Sequence, residues 1–406
     1  MVNVNFCFEV HQPLRIKEHF NPEAKSENLL HHYFDIDKNE TIFNKVMQKC
    51  YFPANNTILN AIDQLGKKFR VTYSISGVFL DQCEMFNPNV IESFRKLADT
   101  GCVDFMGQTY YHSLAGLWGQ DRQEFVEQVD MHRDKIKDLF GIKPVVFENT
   151  ELLYNNMIAK TVEGMGFKGI FAEGHDKILE GWKSPDYLYS PPKHICEDIK
   201  IFLRNYKLSD DMGYRFSARW WDQWPLTAEK YASWIAGSTG EVVNLFVDYE
   251  TFGEHQWEDT GIFWFLGKLP FEVTKWDHVK VTTPRMCLDL ATRGNIDVFE
   301  FDTISWADLE RDTSAWLGNK MQMNAHEEIK AFKHWIDKSD NPDFKRVWRY
   351  LQNSDHLYYM CTKFWSDGDV HKYFSPFNTP DDGFYKIHRI LSDLKWQIMN
   401  EKKNKV

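Results

Sequence analysis

Short apolar segments alternate with helical segments up to about residue 285, and this alternation constrains the fold more than any other feature. Each apolar segment has the length and composition of a buried β-strand. Strands joined through helices pair in parallel, because a parallel connection must cross from one end of the sheet to the other. The predicted strands are 2–10, 69–75, 102–106, 144–147, 169–171, 199–203, 242–247 and 278–282, and the predicted helices between them are 57–68, 89–100, 121–140, 157–165 and 227–236.

These elements predict an α/β fold in which a parallel sheet is either doubly wound or closed into a barrel. The glycine patterns of nucleotide-binding folds, GxGxxG after the first strand and GxxxxGK[ST], are absent from the sequence. The pattern changes after Asp297, and the chain beyond residue 305 is predicted to be almost wholly helical, in segments 307–334, 342–353 and 381–400. We therefore expect a barrel or sheet domain over residues 1–295 and a helical domain over residues 296–406.

The charge and cysteine content exclude several classes of function. The formal net charge is -11, and no basic cluster precedes the KKNK tail, so neither nucleic acid nor an anionic membrane is an expected partner. No signal peptide and no apolar stretch of about 20 residues is visible. The seven cysteines show no CxxC spacing, which argues against a zinc cluster or a disulfide framework and favours a cytoplasmic location. The 15 tryptophans provide more ring surface than a core needs, and sugars stack well on exposed rings.

Polar and acidic residues follow four separate predicted strands. They are His11, then Gln108 and His112, then Glu148 and Glu151, and finally Asp248, Glu250 and His255. In a barrel the carboxyl ends of the strands meet on one face, so these side chains are expected to converge. Two converging carboxylates can hydrolyse a glycosidic bond, one as nucleophile and the other as proton donor. A metal site built from His11, His112, His255 and an Asp is the competing hypothesis, but the spacing matches no HExxH pattern.

Three ordered motifs resemble those of glycoside hydrolase family 57. They are HQP at 11–13, NTEL at 149–152 and DYETFG at 248–253. Four longer stretches, at 107–114, 214–234, 304–322 and 354–376, resemble the α-amylase-like branch of that family. A single tripeptide is weak evidence, but the ordered set covers nearly the whole chain.

The resemblance implies a distorted (β/α)7 TIM-like barrel followed by a helical bundle that completes the substrate cleft. It implies a retaining mechanism on α-1,4-linked glucans such as starch, glycogen or maltooligosaccharides, without a metal or other cofactor. Glu151 matches the family nucleophile and Asp248 the general acid/base. The residues that the resemblance suggests for substrate binding are His11, Gln108, His112, Trp220, Trp221, Glu250, His255, Trp306, Asp308 and Asp367.

Several assignments have structural alternatives. Glu151 follows Asn149 and Thr150 and could simply lie at the start of a helix, where a carboxylate is favourable. Glu148 is the other candidate nucleophile. Asp248 could be an ordinary loop carboxylate, and His11 could be a core histidine. Only one of the neighbours Trp220 and Trp221 can face a substrate if both lie on a strand.

The sequence departs from the family pattern at two places. Gln108 stands where the α-amylase-like pattern GETYYH more often has an acid, and Arg285-Met286 replaces the Ser-Glu pair of a TPSE pattern at residues 283–286. These changes leave open a glucan-binding homologue with weakened chemistry. A 4-α-glucanotransferase or branching enzyme on the same scaffold also stays open, because hydrolysis and transfer share every step up to the glycosyl-enzyme. A metal-dependent polysaccharide deacetylase is disfavoured, because no TFDDG-type pair of aspartates follows the first strand.

Overall fold

The computed structural model describes residues 1–22, 24, 26, 28–119, 122–363 and 375–403. Its centre is a sheet of nine strands. The strands are β1 (Val2–Val10), β2 (Val71–Ile75), β3 (Val103–Phe105), β4 (Val146–Phe147), β5 (Gly169–Glu173), β6 (Leu188–Tyr189), β7 (Lys200–Arg204), β8 (Val242–Asp248) and β9 (Val279–Thr282).

Seven of these strands form a nearly closed barrel in the order β3-β2-β1-β8-β7-β5-β4. The barrel closes where a parallel bridge joins Gly107, just after β3, to Phe147 of β4. Strand β6 pairs antiparallel with β7, and β9 pairs in parallel with β1. The expected seven-stranded barrel is therefore confirmed, and the doubly wound alternative is wrong, because an open sheet would leave β3 and β4 unpaired with each other.

The first strand shows how the sequence builds this barrel. Alternate apolar residues of β1, from Val2 to Val10, pack outward into a large hydrophobic cluster with the surrounding helices. The residues between them face inward: Cys7 belongs to the small cluster inside the barrel, and Asn5 donates a hydrogen bond of 2.8 Å to Asn244 of β8. Both faces of the strand are buried, as is usual in parallel sheets, and this is why the strand contains so few charged residues.

Helices surround the barrel and continue beyond its last strand. They are α1 (Leu29–Tyr33), α2 (Ile36–Val46), α3 (Phe52–Leu65), α4 (Gly77–Phe86), α5 (Asn89–Asp99), α6 (Gln123–Phe140), α7 (Asn156–Gly164), α8 (Asp176–Leu179), α9 (Tyr206–Gly213), α10 (Ala228–Ala236), α11 (Ile262–Val273), α12 (Ser314–Leu317), α13 (Lys320–Ala331), α14 (Lys333–Ile336), α15 (Pro342–Leu351), α16 (Ser354–Tyr358) and α17 (Pro380–Lys403).

The predicted helix over 307–334 is wrong. Asp308 and Arg311 have positive φ angles of 57° and 52°, which a right-handed helix does not accommodate. The chain forms a loop up to residue 313, and the helical region is then broken at Gly318 before α13 begins at a capping box on Asn319. The prediction also missed α4, which begins directly after the predicted strand 69–75, where Ser76 caps the helix by accepting from the backbone N–H of Phe79.

The helices beyond residue 296 share their core with the barrel. One hydrophobic cluster contains Phe147 and Ile170 from barrel strands together with Trp316 and Trp348 from the later helices. The boundary at residue 295 stays a prediction, and the shared core means that the helical region is packed on one side of the barrel. Among the described residues, no helix combines the length and apolar content required to cross a bilayer.

The loop after β8 is held close to the chain at 47–51, and this contact yields a prediction for stability. Gly253 has a φ of 113°, and a Cβ atom added there would lie 1.9 Å from the carbonyl oxygen of Lys49. We expect Gly253→Ala to lower the free energy of unfolding by about 2 kcal/mol or more, because both backbone strain and a steric clash oppose it. Urea denaturation measures the difference.

Gly164→Ala is the matched control. Gly164 ends α7, and a Cβ atom there would meet no atom within 4 Å. Alanine at such a position should leave stability unchanged or raise it by up to about 1 kcal/mol. Equal stabilities of the two variants would show that the loop after β8 relaxes freely and would contradict the prediction.

Candidate active site

Polar side chains gather inside the barrel at the carboxyl ends of its strands. Each comes from a different strand or from the residues directly after it, because alternate residues of a strand face the same side. They are Glu9, Ser74, Gln108, Glu148, Glu173, Arg204 and Asp248, and all except the half-buried Asp248 are buried. This layer brings together the strand ends at which the sequence predicted a site.

Glu151 lies in a tight turn, Thr150–Leu152, just beyond β4. Its φ angle is 59°, an uncommon conformation for a residue with a side chain. Its carboxylate accepts a hydrogen bond of 2.6 Å from the indole N–H of Trp306 and lies 3.5 Å from Nε2 of His112. Helix α7 begins only at Asn156, so Glu151 does not lie in the first turn of that helix. The turn presents this carboxylate, 22% exposed, between an indole and an imidazole.

Asp248 is the last residue of β8, and its carboxyl group interacts electrostatically with the carboxylate of Glu151. Burial, together with the negative charge of Glu151, raises the pKa of Asp248 to about 7, although the nearby Arg204 and His112 act in the opposite direction. A carboxyl group with such a pKa holds a proton in a large fraction of molecules near neutral pH. The arrangement therefore separates a proton-carrying carboxyl from one that is held by hydrogen-bond donors.

Glu148 is placed differently from Glu151. It is fully buried, accepts from the Ser74 hydroxyl at 2.9 Å, and accepts from the backbone N–H of Leu152 at 3.3 Å. Burial raises its pKa to about 8, and it interacts with the equally buried Glu9, whose pKa burial and the Glu148 charge also raise. Glu148 thus supports the turn that carries Glu151, and its burial is unfavourable for a direct role as nucleophile.

Two stacked imidazoles lie next to Glu151. The rings of His11 and His112 are 3.9 Å apart at an angle of 17°. His11 Nδ1 is 2.6 Å from the Ser76 hydroxyl, and its Nε2 is 3.1 Å from a carboxylate oxygen of Asp355. Asp355 belongs to α16, so the helical region contributes a charge to the barrel site. The interaction with His11 lowers the pKa of Asp355 to about 2 even though burial alone would raise it.

A buried ionic network lies behind Trp306. The guanidinium of Arg204 bonds to Glu173 at 2.9 Å and to Asp210 at 2.6 Å, and Arg311 bonds to the same two carboxylates at 3.2 and 3.0 Å. Arg311 also donates to the backbone carbonyl of Trp306, and Arg204 lies 5.4 Å from the centre of the Trp306 ring. Four charges that alternate in sign therefore fix the indole that donates to Glu151.

The sequence analysis missed Glu9, Glu173, Arg204 and Asp355. The first three were detectable in principle, because period-two alternation places each on the same face as an inward-facing neighbour two residues earlier. The predicted strands ended at residues 171 and 203, two and one residues too early to include Glu173 and Arg204. Asp355 had no such pattern, since it approaches the site from a helix that is distant in sequence.

Three other predicted site residues differ in burial and in their partners. Glu250 is buried, accepts a hydrogen bond of 2.6 Å from Tyr51, and has a raised pKa because of burial and the Asp248 charge. His255 is exposed. Asp308 accepts from the ammonium group of Lys363 at 2.8 Å.

The paired tryptophans face different surroundings. Trp220 is 73% exposed, whereas Trp221 packs edge-on against Trp234 at 6.0 Å in the outer helical layer. They lie in an irregular segment rather than on a strand, so strand alternation does not account for the exposure of only one of the two. Asp367 lies outside the described residues.

The two departures from the family pattern lie at different levels of the barrel. Gln108 is fully buried and bonds to Glu9, Ser74 and His112 rather than to solvent. Arg285 forms a two-pronged ion pair with Asp104 of β3 at 2.8 and 2.9 Å, so it pairs with a carboxylate away from Glu151 and Asp248. Within the described part of the chain, no group of three or more His, Cys, Asp or Glu side chains is arranged to hold a metal ion.

The chain is similar to known proteins over most of its length. The model of the family described as Glycosyl hydrolase family 57 matches residues 5–298. A curated protein from Methanocaldococcus jannaschii, named "Putative alpha-amylase", is 48% identical over 404 residues, which cover 97% of this chain and 84% of that protein.

Two solved structures share the fold at low sequence identity. The branching enzyme of the same family from Pyrococcus horikoshii aligns with a TM-score of 0.67 and 16% identity, covering 96% of this chain and 88% of that one. The 4-alpha-glucanotransferase from Thermococcus litoralis aligns with a TM-score of 0.64 and 15% identity, and this chain spans 56% of its length. At this identity the alignments establish the architecture alone.

The mutual influence of Glu151 and Asp248 can be measured without any substrate. Glu151→Gln removes the negative charge that helps to raise the pKa of Asp248, so that pKa should fall below about 7. Carbon-13 NMR titration of the aspartate carboxyls, with Asp248→Asn to assign the resonance, measures the shift. Glu92→Gln, which removes a half-exposed surface carboxylate on α5, is the control and should leave the titration unchanged. A pKa that stays constant in Glu151→Gln would mean that the two carboxyls do not interact.

Proposed function

The chain belongs to glycosyl hydrolase family 57, and on this premise we propose that it is a retaining hydrolase of α-1,4-linked glucans. The observation that carries the proposal is the pair of carboxyls with opposite environments at one end of the barrel. Glu151 is held by donors, and Asp248 carries a raised pKa. The name of the M. jannaschii relative supports an α-glucan as the substrate and hydrolysis as the reaction.

Glu151 is the proposed nucleophile. Double displacement requires an ionised carboxylate that attacks the anomeric carbon and forms a covalent glycosyl-enzyme. The Trp306 indole donates a hydrogen bond of 2.6 Å to this carboxylate and the His112 ring lies 3.5 Å from it, and together these contacts fix its orientation. Glu151 lies in a turn with a positive φ and keeps its carboxylate partly exposed. Glu148, directly after the strand, is buried in the protein interior.

Asp248 is the proposed general acid and base. In the first step its proton passes to the glycosidic oxygen as that bond breaks. The negative charge of Glu151 is lost when the ester forms, so a contribution that raised the pKa of Asp248 disappears. Asp248 then becomes a better base for the water that attacks the ester, and hydrolysis restores both groups. The change of role follows from the coupling of the two charges.

The remaining assignments extend this proposal. His11, stacked on His112 and bonded to Asp355, is positioned for contact with the sugar next to the cleaved bond. Trp306 has its indole N–H on Glu151, so it acts on the nucleophile in addition to any stacking on the substrate. Trp220, Glu250, His255, Asp308 and Asp367 remain proposed substrate contacts.

The central test replaces each carboxyl by its amide. Glu151→Gln should abolish turnover of maltoheptaose while binding of the sugar persists, because the amide keeps the shape and loses the nucleophile. Asp248→Asn should lower kcat by about 10²–10⁴-fold, the range for loss of general acid–base catalysis. Steady-state kinetics and calorimetric titration measure the two effects. Glu92→Gln again serves as control, and full turnover by Glu151→Gln would overturn the assignment.

The pH profile and the products give a second test. The acid must be protonated for the first step, so kcat/KM on maltoheptaose should fall as the pH rises through about 7, the pKa to which burial and Glu151 raise Asp248.

Retention predicts that the first detectable product has the α-anomeric configuration, which NMR observes directly. Products longer than maltoheptaose would identify a glucanotransferase or branching enzyme instead. A first product with the β configuration would contradict the double displacement.

A further inference from the structure

We propose that His112 is held as an imidazolium against Glu151 and that Gln108 is the positioning residue that imposes this charge. The inference rests on the proposed function, since it assigns a role toward the nucleophile. It follows from an inventory of donors and acceptors around two buried side chains, because a neutral imidazole offers one N–H donor and one acceptor whereas an imidazolium offers two donors.

The orientation of the Gln108 amide is the first step. Its Nε2 lies 3.0 Å from Oε1 of Glu9 and 2.7 Å from the hydroxyl oxygen of Ser74. The Ser74 hydroxyl donates its own hydrogen to Glu148 at 2.9 Å, so its oxygen is free to accept. A proton shared between the hydrogen-bonded carboxyls of Glu9 and Glu148 leaves Oε1 of Glu9 as an acceptor. Both neighbours of Nε2 then accept, which favours the NH₂ group at this position. The carbonyl oxygen of Gln108 must then face His112.

The protonation of His112 is the second step. Its Nδ1 lies 3.2 Å from the Gln108 carbonyl oxygen, which can only accept, so Nδ1 must carry a hydrogen. Its Nε2 lies 3.5 Å from the Glu151 carboxylate, which also accepts. Both ring nitrogens therefore face acceptors, and both donate only if the ring is charged. The nearby carboxylates of Glu151 and Glu9 raise the pKa of His112 even though burial alone would lower it.

The stacked neighbour must then be neutral, because two imidazolium rings 3.9 Å apart would repel each other strongly. His11 meets this condition: the Ser76 hydroxyl can donate to its Nδ1, and its Nε2–H can donate to Asp355. Burial and the charge of His112 lower the pKa of His11 to about 4. The charged groups that face His112 are thus Glu9 of β1, Glu151 after β4 and Asp355 of α16.

His132 shows the opposite inventory in the same region. Its Nδ1 accepts from the backbone N–H of Gln108 at 3.2 Å, and its Nε2 lies 2.7 Å from the carbonyl oxygen of Ile75. One nitrogen accepts and the other donates, so a neutral ring satisfies both contacts, and burial lowers the pKa of His132 to about 4. Gln108 therefore contacts one histidine of each kind, which makes His132 an internal reference.

A fixed positive charge at His112 serves both halves of the reaction. In the resting enzyme it offsets part of the charge of Glu151. In the glycosyl-enzyme Glu151 is an ester and the imidazolium has lost this partner, so the charge favours departure of the carboxylate when water attacks. His112 itself neither gains nor loses a proton, and no atom is transferred to it.

The charge can be read by NMR on the intact protein labelled with ¹⁵N-histidine. The two ring nitrogens of His112, assigned with His112→Gln, should give imidazolium shifts at pH 7.5, whereas those of His132 should show a neutral ring. Gln108→Met removes the acceptor from Nδ1 and should shift His112 to a neutral, titrating ring. Gln108→Glu retains an acceptor and should leave it charged. A neutral His112 in the unaltered protein overturns the proposal, and this measurement needs no variant to fold.

Kinetics supply the second readout. The charge of His112 lowers the pKa of Asp248, so His112→Gln and Gln108→Met should move the alkaline limb of kcat/KM upward by about one pH unit. An alkaline limb that stays in place in both neutralising variants contradicts the inference while leaving the proposed function intact. Turnover by Glu151→Gln would contradict the proposed function itself, so the two failures are distinguishable.

Discussion

Burial of ionisable side chains inside a narrow barrel is the constraint on which the active site depends. Burying a charge away from water costs free energy unless the charge has partners. The carboxyl groups of the polar layer therefore form ion pairs, hold a proton or accept hydrogen bonds. Glu173 and Asp210 are paired with Arg204 and Arg311, whereas Glu148 and Glu9 have raised pKa values. The arrangement of the site thus follows from the need to give hydrogen-bond partners or protons to buried polar side chains, because the apolar core beneath them offers neither.

The same constraint separates the roles of the two reactive carboxyls. Glu151 keeps partial exposure and two donors because a strained turn lifts it out of the layer, and Trp306 meets it there. Asp248 stays on the strand end, where burial and Glu151 raise its pKa to about 7. The same chemical group, a carboxyl, therefore occurs here in two different surroundings, which is the basis for the proposed division into a nucleophile and a proton donor.

The helical region takes part in this arrangement rather than standing apart. It supplies Asp355 to His11 and shares one hydrophobic cluster with the barrel strands. The loop that carries Trp306 is anchored through Arg311 to carboxylates of β5 and α9. Distortion of the packing between the two regions would therefore be transmitted to both stacked histidines and to the nucleophile.

The sequence by itself determined a parallel α/β sheet, because strand composition and the alternation with helices are local properties of the chain, and the family resemblance implied its closure into a barrel. It also determined Glu151 and Asp248 as candidates through their motifs. Only the tertiary structure decided which carboxyl is buried and which is presented, since Glu148 and Glu151 differ by a turn with a positive φ that no local pattern announces. The partners of His11, His112 and Trp306 were decided there as well, because Asp355, Gln108 and Arg204 reach them from segments that only folding brings together.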